Sequence, residues 1–189
     1  MAQTQLDICN SALGTVGVER IASLDEGSAA AIVLASRYEG MARSQLASYR
    51  WRFATEQALL VRRNEVPIDP RWRHAWQLPA DKLAIHAVTR NGRPVEYDTF
   101  GATIFANEDE GLVATYTWRV GEAKWSPAFT EAFVTLLASV CAMSLREDSS
   151  AAETLATQAV ALFASARTSD SQQQTARRLP LGRLIAVRR

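Results

Sequence analysis

Two cysteines in 189 residues, Cys9 and Cys141, with no Cys-x-x-Cys, exclude a disulfide-stapled scaffold. Histidine is as scarce. His74 and His86 do not stand at metal-ligand spacing, so neither a metal site nor any other cofactor is expected. No Gly-x-Gly-x-x-Gly, no Walker-type phosphate loop and no Gly-x-Ser-x-Gly elbow occurs, which removes the commonest signatures of nucleotide binding and serine hydrolysis. An excess of one charge is lacking too: 21 Lys and Arg stand against 20 Asp and Glu, net +1, giving no global attraction to nucleic acid. The N-terminus has no charged start leading into an apolar core, and no apolar run approaches about 18 residues. Neither a signal peptide nor a membrane anchor is therefore expected. Hydrophobic residues make up 48% and charged residues 22%, which excludes a disordered chain and points to a globular protein of a reducing compartment.

Helical periodicity marks both flanks of the chain. Leu6, Cys9, Leu13 and Val16 recur at helical spacing behind Thr4 as N-cap. Ser28 caps a longer helix whose stripe runs Ala31, Leu34, Tyr38, Met41, Gln45, Tyr49. Residues 1–50 therefore read as one helical pair. A second pair follows at 126–167. Ser126-Pro127 is an N-cap with proline at the first helical position, Phe129, Phe133, Leu136 and Val140 form a stripe, and Ser150-x-x-Glu153 reads as a capping box for the final helix. Leu137 lies on a second stripe of the third helix and Leu162 on the fourth.

Between the pairs, residues 51–125 carry Pro67, Pro70, Pro79 and Pro94 and change to strand-like alternation. Asn91-Gly92 is a type I′ hairpin signal, and Asn107–Gly111 between Thr103–Ala106 and Leu112–Trp118 predicts a second hairpin. The expected fold class is mainly α: a four-helix core with a small antiparallel β insert. From Thr168 the pattern gives way to a Gln-rich polar stretch, read as a flexible linker to an apolar and basic tail at 168–189. That tail can fold back on its own core or dock into a partner. The partner is favoured, because nothing before it fixes a return path.

Few residues invite chemistry. The acidic run Glu108-Asp109-Glu110 reads as a solvated turn rather than a carboxylate pair, and no catalytic residue is assigned. The one suggestive constellation is basic and aromatic: Tyr49-Arg50-Trp51-Arg52-Phe53, then Arg71-Trp72-Arg73. Arg50, Arg52, Arg71 and Arg73 are candidate phosphate contacts, since arginine with interleaved aromatics serves single-strand binding grooves. The competing reading puts Trp51, Phe53, Phe129, Phe133, Leu137 and Leu162 in core or ring-interface packing.

Several of these residues together resemble the head-to-tail adaptors, or tail tubular protein A family, of short-tailed bacteriophages. The resemblance runs through Cys9-Asn10-x-Ala12-Leu13-Gly14-x-x-Gly17, Ile21-x-Ser23-Leu24-Asp25, Tyr49-Arg50-Trp51-Arg52-Phe53-Ala54, Trp76-x-Leu78-Pro79-x-Asp81 and Trp125-Ser126-Pro127-x-Phe129. It implies a non-enzymatic virion protein of the tail neck, assembled in the host cytoplasm into a homo-oligomeric ring (a dodecamer in such proteins). Its implied partners are the portal protein, the tail nozzle protein and, transiently, genomic DNA passing the channel. Some adaptors of this kind are associated with cell-wall or polysaccharide cleavage; here no acid pair stands at an argued separation, and acids such as Glu108 or Glu110 are weak candidates. Under this resemblance the tail residues Leu179, Pro180, Leu181, Leu184, Ile185, Val187 and Arg188 bind the portal. Another connector ring, or a non-specific nucleic-acid-binding protein, is the alternative.

Overall fold

The structure is a computed structural model that describes residues 3–173. Its helices form where local chemistry starts and stops them. Helix α1 (Gln5–Thr15) opens on a capping box in which Thr4 accepts from the Asp7 N–H and the Asp7 carboxylate accepts from the Thr4 N–H. Asn10 then pins the following loop, its amide group donating to and accepting from the Ile21 backbone at 3.0 and 2.9 Å. Helix α2 (Ala29–Ala47) is capped by Ser28, and α3 (Pro127–Arg146) by Ser126 with Pro127 in its first turn. Helix α4 (Ser149–Gln172) is capped by Asp148, whose carboxylate accepts from the Ala151 N–H at 2.9 Å. The Ser150/Glu153 capping box is thus corrected. Glu147 adopts the left-handed conformation with φ 53°, and that single residue turns the chain.

Eight strands lie between α2 and α3: β1 (Thr55–Leu59), β2 (Val61–Arg63), β3 (His74–Gln77), β4 (Lys82–Arg90), β5 (Arg93–Pro94), β6 (Tyr97–Phe100), β7 (Thr103–Ala106) and β8 (Leu112–Trp118). They build two antiparallel sheets of four strands each, ordered β1-β8-β4-β5 and β2-β3-β7-β6. The fold is therefore mixed, 47% helix and 22% strand, and the expectation of a mainly α protein with a small insert is corrected. The reason is visible at Leu60. Its side chain is buried and its N–H donates to Leu112 O at 2.8 Å, so one extended segment leaves the first sheet as β1 and enters the second as β2. The chain switches sheets again between β5 and β6. The sheets close on a core of their own, with Leu60, Val88, Leu112 and Ala114 from one side meeting Trp76, Leu78, Ile104 and Ala106 from the other.

Two further expectations change here. Asn91-Gly92 does make the β4–β5 hairpin, with φ 50° and 76°. Asn107–Gly111, however, makes no hairpin: β7 pairs with β3 and β6, while β8 pairs with β1 and β4. The turn carries the chain from one sheet to the other.

The helical core is centred on α3, which packs against α1, α2 and α4. It reaches into residues assigned by sequence to the insert, since Trp51, Ala54, Val120 and Trp125 belong to it. At 20 residues, α3 is long and apolar enough by composition to cross a membrane, against the expectation that no segment would be; half of its apolar stretch is buried among the other helices. Helix α4 continues five residues past Arg167, where the linker was expected to begin.

Candidate assembly surfaces and the placement of the predicted residues

The aromatic residues of the sequence motifs converge on one spot. Trp51 is fully buried, its indole N–H donating to Gln45 O at 3.0 Å. Its ring meets Phe129 edge-on at 4.9 Å between centroids; Phe53 and Phe163 reach the same Phe129 at 5.2 and 5.6 Å. Trp125 joins Phe129 to Phe133 at 4.9 and 5.1 Å, and Tyr38 closes the chain at 5.3 Å from Phe133. Edge-to-face pairs of this kind add to the burial energy of the rings. Leu137 is fully buried beside them, and Leu162 is half-buried against the same cluster. Trp51, Phe129, Phe133 and Leu137 are core within a single chain, whereas Phe53 and Leu162 are half-buried at its edge; Trp51 has no face free for a base to stack on.

Beside the aromatic cluster lies a polar junction between helices and sheets. Arg119, at the end of the β unit, pairs with Glu122 at 2.6 Å and with Glu39 of α2 at 3.0 Å, and its guanidinium sits 5.6 Å from the Trp125 ring centroid. The Tyr38 hydroxyl donates to Glu122 Oε1 at 3.2 Å. Burial is the largest single influence and opposes the Glu122 charge, but the Arg119 hydrogen bond and charge, with a backbone hydrogen bond and that from Tyr38, together outweigh it and hold the carboxyl below its usual range. Burial, with Glu122 beside it, pushes the Tyr38 phenol up. The thiols behave likewise: burial raises Cys9 to about 12 and Cys141 to about 11, so both stay protonated packing groups.

The four candidate phosphate contacts are not brought together. Arg50 and Arg52 are exposed where α2 hands over to the β unit, while Arg71 and Arg73 flank Trp72 on the far loop before β3. Arg71 is committed to Asp69 at 2.7 Å and Asp98 at 3.3 Å, and Trp72 donates its indole N–H to the same Asp98. Arg63 pairs with Glu65, and Arg90 with Asp109 and Glu110. The acidic run of the β7–β8 turn thus faces an arginine rather than forming a carboxylate dyad. The tail residues Leu179, Pro180, Leu181, Leu184, Ile185, Val187 and Arg188 lie outside the described residues.

Two apolar surfaces escaped the sequence reading. On the β unit, the outer face of the second sheet carries a rung Val61–Gln77–Thr103–Phe100 in register, about 14 Å across at about 4.8 Å per strand. Val61 and Phe100 at its ends are exposed, as is Leu59 at the corner. The loop between β2 and β3 adds Val66 at 83% exposure and Ile68 at 99%. On the helical unit, α2 and α4 stand apart over α3 and leave a groove of about 610 Å³, in which Met143 of α3 is exposed and Leu136 and Val140 are half-buried, between Met41 and Ala156. A signal for the first existed: Ala58-Leu59-Leu60-Val61 alternates, so burying Leu60 must turn Leu59 and Val61 outward. Against known proteins, neither a family model nor a curated protein sequence matches the chain.

Proposed function

We propose that this chain is a structural head-to-tail adaptor of a short-tailed phage, self-associating into a ring between portal and tail nozzle around a channel that passes DNA. The observation that carries the reading is the surplus of apolar surface on a chain whose two cores are already well packed. Ile32, Leu59, Val61, Val66, Ile68, Phe100, Met143 and Val160 are all at least half exposed. Leu59, Val61, Val66, Ile68 and Phe100 are gathered on the second sheet, its corner and its loop, and Met143 lines the groove over α3; grouped apolar surface of this kind marks protein–protein contact. The order and spacing of the motifs that resemble the adaptor family support the same reading. So does the basic, apolar composition of residues 177–189, which suits docking into another protein such as the portal. The exposed Arg50, Arg52 and Arg73 fit a channel or neck wall that touches phosphates without reading bases.

Electron microscopy of the purified full chain, alone and with isolated portal rings, tests the proposal. The expected result is a closed ring of this chain seated coaxially on the portal. A chain that stays monomeric in both conditions overturns it.

A further inference from the structure

The turn that leaves α2 carries charge without a partner. Trp51 is buried in the aromatic cluster, and Arg50 and Arg52 on either side of it are exposed. Arg167 of α4 stands against the same turn. Its Nη2 donates to Ser48 Oγ at 3.3 Å, its guanidinium lies 5.8 Å from the Tyr49 ring centroid, and the Tyr49 hydroxyl donates to Arg167 O at 3.5 Å. Arg167 Nε is enclosed and has no acceptor among the described residues. None of the three guanidiniums forms an ion pair among those residues.

The nearby acids are turned elsewhere. Asp170, one turn beyond Arg167, is 6% exposed and accepts the Arg52 backbone N–H. Its charge offsets part of that on Arg52, while Arg50 and Arg167 keep theirs. Glu56 stands opposite Tyr116 in the β1–β8 register, beside its phenol.

A guanidinium held in place with donors unfilled suits an anion. Ser48 and Tyr49 fix Arg167 before any ligand arrives, so little side-chain freedom is lost on binding. Its planar fork matches paired phosphate oxygens. With Trp51 closed to bases, contact falls on the backbone alone. An acidic protein surface is the competing partner, but a protein contact needs an apolar centre. The aromatics at this turn, Tyr49 and Phe53, are instead packed against their own core.

On the reading that genomic DNA passes this chain, we propose that Arg167 joins Arg50 and Arg52 in one phosphate-binding patch, which takes the backbone of duplex DNA without regard to sequence. Arg71, paired with Asp69 and Asp98 on the far loop, has no part in it.

Fluorescence anisotropy of the full chain with two unrelated labelled duplexes, over a salt series, tests the patch. R167Q should lower the slope of log affinity against log salt by about one, and R50Q/R52Q/R167Q by about three, equally on both duplexes. R167K keeps the charge and should restore the wild-type slope. R50Q/R52Q changes exposed residues only, so it reads the patch even where R167Q loses stability. R20Q removes an exposed arginine from the loop before α2, whose 19 residues put about 28 Å between its ends, and should leave the slope unchanged. An unchanged slope in the triple variant, an equal drop in R20Q, or no binding to either duplex at about 50 mM salt overturns the patch. Poly-glutamate that displaces duplex at equal charge concentration overturns it in favour of an acidic protein. Each of these outcomes leaves a portal-seated ring standing. A chain monomeric with and without portal overturns the adaptor reading, and the salt slope still decides the patch.

Discussion

The Asp170 carboxylate, near the end of α4, accepts the backbone N–H of Arg52 at 3.2 Å, joining residues 118 positions apart. Asp170 is only 6% exposed, and it binds the last described turn of α4 to the short turn Arg52–Ala54 that leads into the sheets. The hinge of the β unit and the root of the C-terminal tail are thereby one piece of structure.

That placement predicts an acid-side dependence of stability. Burial raises the Asp170 carboxyl above its ordinary 3.8, with the Arg52 N–H and charge opposing. Between the ordinary and the raised value the folded chain holds a proton that the unfolded chain has released, so stability from this group falls as pH rises through that window. D170N keeps an acceptor for the Arg52 N–H and removes the buried charge. Its stability profile, measured by denaturant titration from about pH 3 to pH 7, should be flatter than wild type; an identical slope would count against the latch. D170A, which leaves the Arg52 N–H without this acceptor, should be destabilised by about 1–2 kcal/mol.

The Arg119–Glu122 pair should behave as a partly desolvated ion pair. R119A leaves Glu122 beside Tyr38 without its cation and should cost about 2–4 kcal/mol. In the cycle of R119M, E122Q and R119M/E122Q, the double variant should lose less than the two single variants summed. Additive losses in this double-mutant cycle would show the two side chains to be uncoupled.

Phe129 meets Trp51, Phe53, Trp125, Phe133 and Phe163, five aromatic partners against four for Trp51. F129A should cost about 3–5 kcal/mol, read as a shift in denaturant midpoint with little change in slope. A loss below about 1 kcal/mol would mean that the cluster collapses around the gap.

Gly92, at φ 76°, should cost about 1 kcal/mol when changed to Ala, because the β4–β5 turn requires a left-handed residue there. The effect should appear in stability alone and leave assembly untouched.

Truncation after Gln174 retains α4 with the Asp170 latch, so its melting temperature should stay within about 2 °C of wild type. On the adaptor reading it should no longer attach to portal-bearing heads. Normal attachment by the truncated chain removes residues 175–189 from that contact.

Helix starts were legible in the sequence because their determinants are local. Thr4, Ser28 and Ser126 each bond a backbone N–H three residues on, and a reader needs no other part of the chain to see it. Asn91-Gly92 was legible for the same reason. The aromatic set Trp51, Phe53, Phe129 and Phe133 was visible as apolar stripes, but its division between core and seam required the packing. Strand pairing was not legible. β1 finds β8 across more than fifty residues, and the short turn at 107–111 hides a change of sheet that no local pattern marks. Bulges in β4 near Leu83 and His86 also shift its alternation, so Ile85 and Val88 share the sheet core against simple parity.

What the sequence determined by itself, then, was the helical frame, the caps of its first three helices and one hairpin, all set by interactions within a few residues. The tertiary structure decided the two-sheet β unit, the fate of each arginine and the exposure of Val66, Ile68 and Met143. Burial and ion pairing depend on which distant segments meet, and that is settled only when the chain closes on both of its cores.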